Sequence, residues 1–175
     1  MNYGNIKNCD IANGPGVRVS LFVSGCRNHC KGCFNADTWD FSYGQPYTKE
    51  TEETILKFLA PDYIQGFTLL GGEPFEPENQ IVCVGLLKKI REKFPTKDIW
   101  CYSGYLYDTD MAKGGRIHTE VTEEMLSCLD VLVDGRFVEE KKNLQLNFRG
   151  SENQRIIDVK KTRAAGKIVL SPFNH

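Results

Sequence analysis

The chain has 175 residues, 41% of them hydrophobic, which is enough for one domain with a buried core and too short for two comfortable ones. Its 22 lysines and arginines are balanced by 23 aspartates and glutamates, so the formal net charge is −1. This balance gives no electrostatic reason to expect nucleic acid or an anionic membrane as a partner. We therefore expect a single domain over residues 1–175.

The cysteines and the N-terminal sequence indicate in which cellular compartment the protein is expected. Seven cysteines are an odd number, and three of them are clustered, which argues against a secreted disulfide framework. No apolar signal-peptide core follows Met1, and no apolar run reaches the length of about 18 residues that suggests a membrane span. We expect a soluble, cytoplasmic protein in a reducing compartment, with no membrane partner.

Strand and helix patterns alternate along the chain. A turn at Gly14-Pro15-Gly16 leads into a predicted first strand, 17–23. The elements predicted after it are a helix capped by Thr48 with Ile55, Phe58 and Leu59 buried, a strand at 66–70, a helix with Ile81, Val84, Leu87, Ile90 and Phe94 buried, a strand at 99–102, a helix capped by Thr122, and strands at 131–133 and 155–159. This alternation predicts an α/β fold with a largely parallel sheet and right-handed crossovers.

Four polar or glycine-containing loops follow predicted strands, at 26–34, 71–74, 103–105 and 134–137. In parallel sheets, ligands bind beyond the carboxyl ends of the strands. We therefore expect these four loops, the rim loops, to line one site.

The first rim loop carries Cys26, Cys30 and Cys33 in a Cys-x3-Cys-x2-Cys pattern. A cubane iron-sulfur cluster normally takes four thiolates, so three would leave one iron open to another molecule. The alternative is zinc, because His29 completes the residue types of a Cys3His site. The adjacency of His29 and Cys30 counts against zinc, since the two side chains would converge awkwardly on one tetrahedral ion.

Two further rim loops have residue types that suit a ligand. The glycines of Gly71-Gly72-Glu73-Pro74 permit positive φ and close backbone approach, and Glu73 could accept hydrogen bonds from an ammonium group. Ser103-Gly104-Tyr105 offers a hydroxyl that could bond a ribose. Either loop could also be an ordinary turn, and the polar segment 149–155 could be a ligand or partner contact or a hydrated loop. The remaining cysteines, Cys9, Cys83, Cys101 and Cys128, are interpreted as small hydrophobic side chains.

Taken together, these motifs resemble a known family. The cysteine pattern after a first strand is similar to the cluster motif of radical S-adenosylmethionine enzymes, and residues 14–18 and Phe34-Asn35 narrow the resemblance to activating enzymes of glycyl-radical proteins. Further segments make the resemblance more specific, because they are similar to the activating proteins of anaerobic ribonucleoside-triphosphate reductases. These segments are 23–26, 38–39, 98–100, 103–105, 131–137 and 149–154. The resemblance covers about residues 10 to 154. Gly32 departs from many members of the superfamily, which carry an aromatic residue before the last cysteine.

The resemblance implies both cofactors and chemistry. Cys26, Cys30 and Cys33 would hold a [4Fe-4S] cluster whose open iron binds S-adenosylmethionine. Gly71, Gly72 and Glu73 would meet the amino group of that cofactor, Gly32 and Phe34 would flank its adenosyl part, and Ser103 would lie near its ribose. Reductive cleavage would give methionine and a 5′-deoxyadenosyl radical, which takes hydrogen from a glycine of the reductase. No side-chain acid or base is required.

The implied fold is a partial, open (β/α)6-type barrel with a largely parallel sheet, because the chain is too short for eight β/α units. The implied partners are an anaerobic ribonucleoside-triphosphate reductase as protein substrate and a flavodoxin or ferredoxin as electron donor. Two alternatives remain. One is an activator of another glycyl-radical enzyme, such as pyruvate formate-lyase, and the other is a non-catalytic zinc-binding interaction domain.

Overall fold

The computed structural model describes residues 1–175, in which strands and helices alternate along most of the chain. The strands are β1 Asn2–Asp10, β2 Val17–Val23, β3 Gln45–Pro46, β4 Ile64–Gly71, β5 Asp98–Ser103, β6 Val131–Asp134 and β7 Arg155–Asp158. The helices are α1 Lys49–Leu59, α2 Pro77–Lys93, α3 Thr122–Ser127 and α4 Val159–Ala165, with short 3₁₀ helices at Ala36–Trp39 and Glu139–Lys141. The predicted α/β class is confirmed.

All seven strands form one open sheet in the order β3-β1-β2-β4-β5-β6-β7. The four central strands, β2, β4, β5 and β6, pair in parallel, whereas β1, β3 and β7 are antiparallel additions at the two edges. The prediction of a largely parallel sheet is therefore confirmed for its centre. The finer expectation of a partial (β/α)6-type barrel stays a prediction.

The two faces of the sheet have different environments. Alternate residues of the central strands point to the helix-covered face and join the main core, among them Leu21, Leu69, Cys101 and Leu132. Their successors point to the opposite face, namely Phe22, Leu70, Tyr102 and Val133. A small cluster around Trp100, with Phe148 and Phe173 packed on it, covers only part of that second face. A helix-free surface is thus left beside the carboxyl ends of the parallel strands.

Three details of the predicted strands and helices are wrong. Strand β1 was not predicted, because its polar residues lack an alternating apolar pattern and it is held instead by pairing with β2 and β3. Ile81 was expected on the buried face of α2 but is 68% exposed. Thr122 is the first residue of α3 rather than its cap, and its hydroxyl donates to Gln80 Oε1 at 2.6 Å.

Two features predicted near helices and turns have clear physical causes. Thr48 caps α1 as expected, through a capping box with Thr51.

The Gly14-Pro15-Gly16 turn is held in place by Arg18, which is fully buried and donates from Nη1 to the Pro15 carbonyl at 3.0 Å. The buried charge of Arg18 is compensated by Asp98, whose Oδ1 lies 2.5 Å from Nη2. This arginine therefore holds the turn against the sheet.

Candidate functional site

The four predicted rim loops meet at one cavity of about 740 Å³. The predicted site residues that line it are Cys26, Cys30, Cys33, Phe34, Gly71, Gly72, Glu73 and Ser103. Gly32 lies just outside the lining, where a Cβ would stand 3.1 Å from Glu139 Oε1 and 3.3 Å from the Phe137 ring. The structure therefore brings eight of the nine predicted site residues to one cavity.

The three thiols line the same cavity, but their sulfur atoms do not converge on one point where all three could bind a single metal ion. Cys26 is buried and Cys30 and Cys33 are half-buried, and Cys33 Sγ accepts a hydrogen bond from the Asn35 amide at 3.4 Å. No group of three His, Cys, Asp or Glu side chains in the chain is arranged to hold one metal ion. The exposed ring of His29 instead stacks on Trp39, with a centroid distance of 4.5 Å.

Burial favours the protonated form of two of these thiols in the free chain. It raises the pKa of Cys26 to about 12, and the nearby carboxylate of Glu73 adds to the effect. Burial is also the main reason that the pKa of Cys30 is raised. Because metal centres bind thiolates, occupation of the site would release these protons.

The other four cysteines do not reach the site. Cys83, Cys101 and Cys128 are buried in the main core between the sheet and the helices, and Cys9 is exposed on β1. None of them lines the cavity. The interpretation of Cys83, Cys101 and Cys128 as buried hydrophobic side chains agrees with this placement, but that of Cys9 is wrong, because Cys9 is exposed on the polar strand β1. The site has three thiols rather than four.

Gly71 and Gly72 are required by close packing against the end of β2 and the start of the first rim loop, residues 26–34, which is the cysteine loop. Gly71 has φ +112°, and a Cβ there would lie 2.5 Å from the Val23 amide nitrogen. A Cβ on Gly72 would lie 2.7 Å from the carbonyl oxygens of Gly25 and Thr38. The Gly72 amide donates to the Val23 carbonyl at 2.7 Å, and the Glu73 amide donates to Gly25 at 2.8 Å. These contacts fix the start of the cysteine loop against the end of β4.

The Glu73 carboxylate joins three of the rim loops. Its Oε1 accepts from the Phe75 amide at 2.9 Å and from the Ser103 hydroxyl at 2.8 Å. Its Oε2 accepts from the Gly104 amide at 2.7 Å and from Asn28 Nδ2 at 3.3 Å. Burial raises the pKa of Glu73 to about 7 even though the hydrogen bonds from Phe75, Ser103 and Gly104 favour the ionised form.

Two polar residues of the site were missed by sequence reasoning. Asn28, inside the cysteine loop, is buried and bridges Glu73 to Arg136, whose Nε donates to Asn28 Oδ1 at 3.0 Å. Glu76 is 1% exposed and accepts from the Arg27 amide at 2.8 Å and from the Tyr105 hydroxyl at 3.0 Å. The available signal was their position, since both lie within or directly beside predicted rim loops.

The polar segment 149–155 also belongs to this end of the sheet. Gln154 Nε2 donates to the Gly135 carbonyl at 3.0 Å, and Asn153 Nδ2 donates to the Arg136 carbonyl at 2.8 Å. Arg155 forms an ion pair with buried Asp134 at 2.6 Å. The segment is therefore attached to the rim loop that follows β6.

Comparison with known proteins identifies the family. Residues 12–157 match the family described as 4Fe-4S single cluster domain. The chain is 40% identical over 159 residues to the anaerobic ribonucleoside-triphosphate reductase-activating protein of Enterobacteria phage T4, with 89% of this chain and 93% of the relative covered. It is 42% identical over 156 residues to the protein of the same name from Escherichia coli K12, covering 88% and 96%. The chain belongs to the anaerobic ribonucleoside-triphosphate reductase-activating protein family.

Membership of this activating-protein family confirms the resemblance seen in the sequence. A further relative of the same name, from Vibrio cholerae, is 40% identical over 157 residues, covering 88% of this chain and 96% of the relative. The match to a 4Fe-4S domain spans all three cysteines of the cavity, which supports an iron-sulfur centre rather than zinc. None of the helices is long and apolar enough to cross a membrane.

Proposed function

We propose that this chain activates an anaerobic ribonucleoside-triphosphate reductase by generating a glycyl radical on it through reductive cleavage of S-adenosylmethionine. The observation that carries the proposal is the meeting of three cysteines and the Gly71-Gly72-Glu73 turn in one cavity of a chain from this family. The names of the relatives favour this reductase over pyruvate formate-lyase as the protein substrate.

The donor set fits a [4Fe-4S] cluster with one open iron. Cys26, Cys30 and Cys33 line the cavity together, whereas the four remaining cysteines are absent from its lining. A cluster held by three thiolates keeps one coordination position for another molecule. In this proposal the close backbone contacts of Gly71 and Gly72 keep the cysteine loop in place for that cluster.

The same cavity supplies groups suited to S-adenosylmethionine. Gly71, Gly72 and Glu73 would meet its amino group, with Glu73 accepting hydrogen bonds. Because all four acceptor positions of the Glu73 carboxylate already have donors, an ammonium group would replace the longest of them, from Asn28 at 3.3 Å. Ser103, which now donates to Glu73, would turn toward the ribose.

The adenosyl part would lie against the outer side of the cysteine loop. Phe34 is 73% exposed and lies 5.6 Å from Phe137 between ring centroids, so an adenine ring could pack on it. Gly32, with φ +75°, keeps this surface free of a side chain.

When bound, the reduced cluster would supply one electron to the sulfonium of S-adenosylmethionine, and cleavage of that cofactor would provide methionine and the 5′-deoxyadenosyl radical needed to take a hydrogen atom from a glycine of the reductase. The chain's own residues bind and orient these groups. The helix-free face of the sheet leaves room for a protein substrate, in keeping with a partial, open (β/α)6-type barrel formed by residues 1–175. The electron would come from a flavodoxin or ferredoxin in the cytoplasm.

Anaerobic reconstitution with iron and sulfide tests this proposal. We expect a brown protein that, once reduced, converts S-adenosylmethionine to methionine and 5′-deoxyadenosine. The reductase should gain a radical in the same mixture, while pyruvate formate-lyase should gain little or none. A colourless protein that retains zinc and no iron after this treatment would instead support the zinc-binding alternative.

A further inference from the structure

The cavity continues from the cysteines across the helix-free face of the sheet. Its floor there includes Phe22, Leu70 and Tyr102, which stand level on β2, β4 and β5. The segment 142–150 forms the opposite wall and contributes, among others, Phe148 and Arg149. This inner part of the cavity, the inner lobe, is used neither by the cysteines nor by the Gly71-Gly72-Glu73 turn.

Two polar atoms of the inner lobe are buried and have no hydrogen-bond partner within the chain, Tyr102 Oη and Arg149 Nε. Buried polar groups in folded proteins are nearly always paired, so each exception calls for an explanation. A hydroxyl and a guanidinium N–H both donate hydrogen bonds. The two residues therefore hold unused donors in the wall and floor of the same lobe.

The segment that carries Arg149 is strained. Phe148 has φ +56°, in the left-handed region that bulky side chains rarely adopt. Its ring is held there by packing on Trp100, at 5.4 Å between centroids, and on Phe173, at 5.7 Å. Strain of this kind concentrates at ligand clamps and switch regions. A shift of segment 142–150, which lines the cavity together with Tyr102, would relax Phe148 and open the lobe to an occupant.

The charged and exposed apolar residues that line the cavity indicate what kind of molecule the inner lobe would bind. Glu73 is the only carboxylate among the residues that line the cavity, and its oxygens already accept four hydrogen bonds, whereas Lys7, Lys142 and Arg149 are cationic. The occupant must therefore bring hydrogen-bond acceptors. Leu144 also lines the cavity yet remains 87% exposed, so an occupant large enough to cover it is favoured. A polypeptide segment meets both requirements.

We propose that Tyr102 and Arg149 are positioning residues that donate hydrogen bonds to main-chain carbonyl oxygens of the protein substrate's glycine-bearing segment once segment 142–150 has shifted. This inference rests on the proposed function. It assigns the two residues no part in cleaving the cofactor, only in holding the target glycine near the rim.

The test compares Tyr102→Phe with wild type in two assays. The variant should fold with a melting temperature no lower than that of wild type, because the missing hydroxyl has no partner in the free chain. Reductive cleavage of S-adenosylmethionine without reductase should proceed at the wild-type rate. The KM for the reductase in radical formation should rise about tenfold, as expected for the loss of one hydrogen bond in a dry site. Arg149→Lys, which keeps the charge but lacks Nε, should raise that KM in the same way.

Tyr63→Phe is the matched control, because Tyr63 is 65% exposed and does not line the cavity. It should behave as wild type in both assays. A wild-type KM for the reductase in Tyr102→Phe would overturn the inference while leaving the proposed function standing. Slower cofactor cleavage by Tyr102→Phe without reductase would also overturn it, since the hydroxyl would then serve the cofactor. If wild type itself forms no radical on the reductase, the proposed function fails and this inference fails with it.

Discussion

Asn28 Nδ2 donates to Glu73 Oε2 at 3.3 Å, so a single side-chain amide joins the cysteine loop to the turn after β4. The oxygen of the same amide accepts from Arg136 Nε at 3.0 Å, which adds the loop after β6. The position of the three thiols therefore depends on polar contacts between loops that are distant in sequence.

Asn28→Ala should destabilise the free chain by about 1–3 kcal/mol, because it leaves Arg136 Nε and one acceptor position of the buried Glu73 carboxylate without a partner. Urea denaturation measures the change. Asn8→Ala is the control, since Asn8 is exposed on β1 and should change stability by less than about 0.5 kcal/mol. Equal stability of the two variants would show that the Asn28 bridge contributes nothing to the fold.

Gly72→Ala should destabilise the chain and reduce its iron content. The new Cβ would lie 2.7 Å from the carbonyl oxygens of Gly25 and Thr38, so the cysteine loop would have to move, with a loss of about 1–3 kcal/mol. Gly85→Ala is the matched control. A Cβ at Gly85, inside α2, meets nothing within 4 Å, so this change should stabilise the chain by about 0.5–1 kcal/mol. Thermal denaturation and iron analysis of both variants check the contrast.

Cys30→Ala should abolish the cluster, whereas Cys83→Ala should leave it in place. Cys30 lines the cavity, but Cys83 is buried in the main core. The measurement is iron and sulfide per chain after anaerobic reconstitution. Equal loss in the two variants would mean that the ligand assignment is wrong.

Asp130 should make the stability of the fold depend on acid pH. Burial works to raise its pKa, but hydrogen bonds from Lys160, Arg91 and the Ile99 amide outweigh burial, and the net pKa is lowered. A carboxyl with a lowered pKa stabilises the fold above the unfolded value of about 3.9, and this contribution is lost as the pH falls through the folded pKa.

The difference in the free energy of unfolding between wild type and Asp130→Asn should therefore be largest at neutral pH and should decrease below about pH 4. Urea denaturation across this range measures it. Asp62→Asn, at an exposed turn, serves as the control and should show a much smaller difference. A constant difference at all pH values for Asp130→Asn would contradict the linkage.

Locally encoded features were predictable from the sequence. The capping box of Thr48, the β-rich run of β2 and the buried stripe of α1 are each specified by neighbouring residues. The rule that parallel strands end at one edge then placed the four rim loops together, as the cavity confirms.

Features that depend on distant partners were not predictable. Strand β1 is polar and is stabilised by its pairing with β2 and β3, and Arg18 is neutralised by Asp98 across the sheet. The Gly71-Gly72 pair suggested ligand approach, and the sequence did not show its second role, which is close packing against the end of β2 and against the carbonyl oxygens of Gly25 and Thr38. Neither the bridge of Asn28 nor the unpaired hydroxyl of Tyr102 leaves a pattern in the sequence.

Electron paramagnetic resonance of the reductase tests the central claim most directly. The reconstituted, reduced chain is mixed with S-adenosylmethionine and the reductase without air. We predict a glycyl-radical signal together with 5′-deoxyadenosine, and no signal when Cys30→Ala replaces the wild-type chain. Formation of 5′-deoxyadenosine without any radical on the reductase would contradict the account.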